Sequence, residues 1–197
     1  TRPFHRSDPC GKGTVHNYST YWEMRDMDAT LSVEGIFMGE YGMASAPVLR
    51  SVNRYIPEEE RGVWGNPEEI NSFTYHTPRF NQIMPWGSER DMKYLSMRVY
   101  DFNDGKTMED WIYATQLAQA TVLRHPIDKF RANYPASAGI CYYKMNDVFP
   151  ACGWSVVDFY GVQKPAYYVV QDTYAPLCAC IVFSSLQQEG KVSLPVH

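Results

Sequence analysis

Short aromatic and β-branched runs alternate along the chain with longer stretches in which apolar and charged residues are mixed. Pro3-Phe4-His5-Arg6 and Thr14-Val15-His16-Asn17-Tyr18 are two such runs, each followed by turn-forming residues, and both read as strands with loops behind them. Between the second run and the apolar stretch that begins at Ile36, residues 21–33 interleave Trp22, Met24, Met27, Leu31 and Val33 with charges, a composition that suits a helix. The implied order is strand, helix, strand, which is the signature of a parallel α/β unit.

Residues 44–106 form a long irregular stretch punctuated by Pro47, Pro57, Pro67, Pro78 and Pro85, with a helical piece over 89–99. Insertions of that length usually overlie a functional face. The clearest helix starts near Thr107, whose hydroxyl can cap the first turn while Asp110 completes a weak capping box, and it runs on through Arg124. Pro126 is expected to end or kink it. A strand follows over 138–147, then a loop over 148–155, then a helix from Gln163 to Tyr174. Beyond Pro176 the pattern turns to β, and 177–183 reads as the first strand of a following β domain or a linker to it.

Composition narrows the function classes. A chain of 197 residues that is 45% hydrophobic and 15% aromatic can bury a substantial core. Its formal charge of -4, without any run of basic residues, argues against nucleic acid or an anionic membrane as partner. No apolar run reaches the roughly 20 residues of a membrane span. Five cysteines without framework spacing favour a reducing, cytoplasmic setting. Cys178 and Cys180 could be half of a metal site, but no second cysteine pair or nearby histidine completes it, and they read better as alternating residues of a strand. No metal spacing involves His76 or His125 either, and no cofactor is expected.

One carboxylate stands out. Glu40 lies between Gly39 and Gly42 directly after the apolar stretch, and the carboxyl ends of strands are where α/β sheets and barrels place their chemistry. Glycines beside a carboxylate leave room for a ligand to approach. Taken alone, the stretch fits a solvated loop glutamate at least as well.

The wider sequence shifts that balance. Residues 139–150 read GICYYKMNDVFP, and 153–168 read GWSVVDFYGVQKPAYY. This resembles the end of the catalytic barrel in glycoside hydrolase family two, above all its β-mannosidases, which typically read GxLYWQLNDxWP, then SWS, IDYYG and KPAYY in this order. The family carries SEFG upstream, its glutamate ending the seventh barrel strand as the nucleophile, and GEYG over 39–42 occupies that place here. The stretch from Arg54 to Glu59, residues 74–80 and residues 113–120 are similar to the family's seventh loop and following helix.

The resemblance implies a TIM-barrel (β/α)8 glycosidase fold, of which residues 1–176 would be the C-terminal half, strands five to eight, with a long loop after strand seven, and 177–197 the start of a following domain. It implies a retaining exo-β-glycosidase acting on a β-linked glycan or glycoside, with Glu40 as nucleophile. Such enzymes use two carboxyl groups about 5 to 5.5 Å apart. The family's acid/base glutamate follows an asparagine at the end of strand four, and no Asn-Glu pair occurs in these 197 residues. The chain would then need the N-terminal half of the barrel as its partner, be inactive alone, and be prone to self-association through open strand edges.

Further positions follow from the resemblance. Tyr143 stands where the family has a tryptophan under the sugar, a change that bears on specificity. His16, Asn17 and Tyr18 end strand six, where the family has a hydrogen-bonding neighbour of the nucleophile; His16 is the favoured one, with Asn17 second. His5 and Arg6 either line the pocket or cap the strand end. Asp147 is expected to anchor a loop through backbone amides, and Trp154, Tyr160, Tyr167 and Tyr168 to pack the last helix. Asn17-Tyr18-Ser19 is formally a glycosylation sequon, in a poor position for one. The alternatives are a β-galactosidase or β-glucuronidase specificity, and a non-catalytic carbohydrate-binding or interaction module.

Overall fold

The computed structural model describes residues 9, 13–22, 28–31, 35–61, 76, 107–183, 185, 190–191, 193–194 and 196. The expected strand at 3–6, with His5 and Arg6, and the helical piece at 89–99 lie outside them. Strand β1 (Thr14–Asn17) is followed by the short helices α1 (Ser19–Trp22) and α2 (Asp28–Leu31), then by β2 (Phe37–Tyr41). A short helix α3 (Leu49–Val52) and a 3-10 turn (Glu58–Glu60) come next. The long helix α4 (Met108–Ala132) leads to β3 (Gly139–Ile140) and to α5 (Pro165–Thr173). Of the helix expected over 21–33, the described residues are 21–22, at the end of α1, and 28–31, which form α2, and all of them are helical.

The strands form one parallel sheet in the order β1-β2-β3. Adjacent parallel strands need a crossover, and here helical segments supply both. The chain is therefore α/β as the alternation of its patterns predicts. In the β1–β2 ladder His16 faces Glu40 and Asn17 faces Tyr41, after an irregularity between Val15 and His16. That irregularity sets which residues of β1 reach the carboxyl end of β2.

The strand expected over 138–147 is only two residues long. Beyond Ile140 the chain still follows β2, with Cys141 N donating to Met38 O at 2.8 Å and Tyr143 N to Tyr41 O at 2.7 Å. At Lys144 it changes partner. Lys144 N donates to Trp154 O at 3.1 Å and Val157 N to Met145 O at 2.9 Å, so 144–147 pair with the returning segment instead of the sheet. The β pattern past Pro176 amounts, among the described residues, to one antiparallel bridge between Ile181 and Val196.

Helix α4 starts with the expected capping box: Asp110 N donates to Thr107 Oγ1 and Thr107 N to Asp110 Oδ2, each at 3.2 Å. Its end departs from expectation, because Pro126 does not terminate the helix, which continues to Ala132. A proline inside a helix costs about 3 kcal/mol. Around it Val122, Leu123, Ile127 and Phe130 are all buried, and burying each such side chain contributes about 1.5–3 kcal/mol, so packing outweighs the lost bond. Arg131 Nη1 also donates to Ala175 O at 2.7 Å and to Thr173 O, which fixes the last turn of α4 to the end of α5.

Two apolar clusters flank α4. Trp111, Ile112, Ala118 and Val122 pack with Met43, Ala46, Val52 and Ile56 behind β2, whereas Leu123, Ile127 and Phe130 pack with Met38, Tyr41, Ile140 and Val170. Tyr41 Oη donates to Leu123 O at 2.7 Å, so the residue after Glu40 is anchored in the helix. Replacing Leu123 with alanine should empty the junction of helix, sheet and α5. We expect a loss of about 2–5 kcal/mol, read as a lowered midpoint in thermal or denaturant unfolding.

Candidate active site

Glu40 sits one residue before the end of the central strand, at the carboxyl edge of the sheet. Tyr18, the first residue past β1, donates from its hydroxyl to Glu40 Oε1 at 2.6 Å. Burial, and then the hydrogen bond to Glu40 and its charge, hold the Tyr18 phenol protonated far above its ordinary range. It is thus fixed as a donor. A charge-assisted bond of this length orients the carboxylate.

The third component comes from β3. Tyr143 lies past its end, 41% exposed, with its ring edge-on to Trp154 at 6.3 Å and Lys144 Nζ 5.7 Å from its centroid. Gly42 makes this approach possible. A Cβ at that position would lie 2.3 Å from the Tyr143 carbonyl oxygen and 3.2 Å from the Trp154 ring, so any side chain would push the two strand ends apart.

The sheet thus brings Glu40, Tyr18 and Tyr143 to one edge, with His16 the register neighbour of Glu40. Asn17 is used differently. Its Oδ1 accepts from Ser19 N at 3.0 Å and Ser19 Oγ at 2.7 Å, and its Nδ2 donates to Ala29 O at 3.4 Å, so it joins the start of α1 to α2. This buried role also leaves the sequon asparagine 9% exposed. Asp147 anchors its loop, though through side chains: it accepts from Ser155 Oγ and pairs with Lys144 Nζ at 3.2 Å. His76 places Nδ1 against Pro150 O, and His125 is half-buried edge-on to Phe183, with burial and the nearby Arg124 lowering its pKa to about 4.

Two buried polar side chains behind the site were not singled out by sequence. Lys164 is fully buried, and its Nζ donates to Ser45 O at 3.1 Å, Ser45 Oγ at 3.2 Å and Gly153 O at 3.2 Å. Gln119 Nε2 donates to Met43 O at 2.9 Å and to Trp154 O and Ser155 O at 3.1 Å, while its Oε1 accepts from Ser45 Oγ at 2.7 Å. Together they join the loops that follow β2 and β3. Within the KPAYY stretch only proline and the aromatics carry an obvious packing signal, so the role of the lysine was not visible.

No family model matches the chain. Among curated proteins it is similar to β-mannosidase B of Aspergillus niger, 24% identical over 187 residues that cover 88% of this chain and 21% of that protein. β-Mannosidase B of Thermothelomyces thermophilus is 23% identical over 190 residues, covering 89% of this chain and 21% of its own length. The solved β-D-mannosidase of Dictyoglomus thermophilum superposes with a TM-score of 0.72 at 26% identity, across 86% of this chain and 19% of that one. In sequence and in fold the chain is similar to β-mannosidases. The exo-chitosanase CsxA of Amycolatopsis orientalis shares the fold, with a TM-score of 0.61 at 19% identity over 87% of this chain and 20% of that one. This β-mannosidase-like chain spans about a fifth of the length of the relatives it matches. Among its described residues no helix is long and apolar enough to cross a membrane.

Lys164 gives the site region a pH signature. Burial depresses its pKa from 10.5 to about 8. Between those values the unfolded chain binds a proton that the native state does not, so stability rises with pH across that window. Below about pH 8 both states are charged and the cost of burial is constant. The unfolding temperature should therefore climb from about pH 7.5 to about 9.5 more steeply than in Lys164→Met. Equal slopes would show that the native lysine is not depressed.

Proposed function

We propose that this chain forms the C-terminal half of a (β/α)8 barrel, β1 to β3 being barrel strands six to eight, in a retaining exo-β-glycosidase of the β-mannosidase type. The observation that carries the reading is the 2.6 Å bond from Tyr18 to Glu40 at the carboxyl edge of a parallel sheet. Barrel enzymes assemble their chemistry at that edge. The likeness to β-mannosidases supports the substrate class, a terminal β-linked sugar.

In this reading Glu40 is the nucleophile. Tyr18 holds Oε1, leaving Oε2 to attack the anomeric carbon and form a glycosyl ester as the aglycone departs. The leaving oxygen takes its proton from a second carboxylic acid, and the same group then deprotonates the water that hydrolyses the ester. Two displacements at one carbon give net retention. The second carboxyl group comes from the part of the barrel outside these 197 residues, and the chain by itself turns over no substrate. Tyr143 offers its exposed ring as a stacking surface for the sugar, with less area than an indole. His16, the register neighbour of Glu40, is the adjoining wall of the pocket, and Asn17 supports it from behind through Ser19 and Ala29. Residues 177–197 lead into the next domain.

The complete protein provides the test. A 2-deoxy-2-fluoro-β-mannosyl inactivator should label Glu40, as located by peptide mass analysis, and Glu40→Gln should lose roughly a thousandfold or more in kcat. Labelling at another carboxylate would refute the assignment. Parallel assays with β-galactoside and β-glucuronide substrates check the sugar class.

Tyr18→Phe removes one preorganised donor while keeping the ring. It should lower kcat by about a hundredfold with KM little changed. A variant impaired only in KM would assign Tyr18 to substrate binding instead.

A further inference from the structure

Far along the chain from Glu40, the structure gathers two thiols and a carboxylate, a set of metal-ligating groups. The Sγ atoms of Cys178 and Cys180 are 3.5 Å apart, and an Asp128 carboxylate oxygen joins them so that all three atoms lie within 4.8 Å of one another. Asp128 projects from α4, one turn after Arg124, and is 3% exposed; Cys180 is equally buried. Asp128 Oδ2 pairs with Arg124 Nε at 3.3 Å, and the buried carboxylate is otherwise met by the Cys180 thiol, with no nitrogen or oxygen donor on Oδ1 among the described residues. A thiol is a weak donor, so a cation that replaces its proton would satisfy the carboxylate better.

We infer that Asp128, Cys178 and Cys180 form a binding site for a thiophilic divalent cation of the zinc class. Tetrahedral bonds of about 2.3 Å to sulfur place two thiolates roughly 3.7 Å apart, close to the spacing already present. A disulfide requires about 2.05 Å and would do nothing for the carboxylate. Charge balances as well: the dication with the Arg124 guanidinium offsets two thiolates and one carboxylate. Each thiol gives up its proton to solvent on binding, and no redox step occurs. With three protein ligands, the fourth position is left to water.

The lone Cys-x-Cys pair is half a site in the sequence because its third ligand lies 50 residues upstream on another element. The helix supplies what spacing could not. A bound cation would fasten the segment after α5 to α4, in addition to the Arg131 bonds to Thr173 O and Ala175 O. His125, on the same helix, is outside the cluster and packs against Phe183 at 4.6 Å between ring centroids.

The complete protein, reduced and stripped with a chelator, should take up one Cd2+ with thiolate-to-cadmium charge-transfer absorption, which added Zn2+ displaces. Cys178→Ser and Cys180→Ser should each abolish that absorption, and Asp128→Asn should weaken Zn2+ binding about tenfold or more. Cys141→Ser, which changes an exposed free thiol, should leave it intact. In the unsubstituted protein Zn2+ should protect Cys178 and Cys180, but not Cys141, from alkylation, a readout that survives any misfolded variant. The inference fails if neither cation binds at micromolar concentration, or if Asp128→Asn binds Zn2+ as tightly as the parent. It fails equally if the pair is isolated as a disulfide that takes no metal after reduction.

Discussion

Gln119 and Lys164 have no water to turn to. Each is fully buried, and a buried amide or ammonium without partners costs several kcal/mol, so the loops after β2 and β3 must present their carbonyls to these two side chains. Ser45 lies between them, bonded to Gln119 through its hydroxyl and to Lys164 through hydroxyl and carbonyl. It also exchanges backbone bonds with Gly153 at 3.0 and 3.1 Å. The path of the chain immediately after Glu40 is therefore set by polar satisfaction as much as by apolar packing. The carboxylate sits at the edge of a region that cannot relax without breaking several bonds at once.

The geometry in front follows from that constraint. With residues 43–45 pinned from behind, Gly42 is held against the Tyr143 carbonyl, and the absence of a Cβ lets the ends of β2 and β3 close up. On the other side the β1–β2 register brings Tyr18 past the end of its strand and onto Oε1. Tyr41, next in sequence to Glu40, is anchored inward on Leu123 O. A charged residue beside so firmly anchored a neighbour has little freedom, which is what preorganised chemistry requires.

Much of this was readable in the sequence, and the omissions share a cause. The β1 and β2 runs, the capping box at Thr107 and the helix beginning at Pro165 depend on neighbours within a few residues, and their local signals are sound. Pro126 misled because its penalty is local while its compensation, the burial of Leu123, Ile127 and Phe130 against sheet and α5, is tertiary. Residues 144–147 keep a strand-like composition, yet their backbone partners are at 154–157. At the site, the rank of His16 over Tyr18 turned on register, and the irregularity after Val15 is invisible in composition. Lys164, Gln119 and the Asp128 cluster join residues 11 to 119 positions apart, which no spacing rule addresses.

The surface beside Tyr143 bears on what completes the pocket. Met145 is 52% exposed, Val148 76% and Phe149 55%, all on the loop that departs from the carboxyl end of β3. Apolar side chains adjacent to a buried polar scaffold gain nothing from water, and their removal from it is worth about 25 cal/mol per Å². On the reading that the other half of a barrel supplies the acid/base carboxylate, this loop is the natural surface for that half to cover. Its docking would bury the exposed side chains and shield the Tyr18–Glu40 pair from solvent in one event, strengthening the charge-assisted bond as the local dielectric falls. Assembly and activation of the nucleophile would then be driven by the same burial of apolar area.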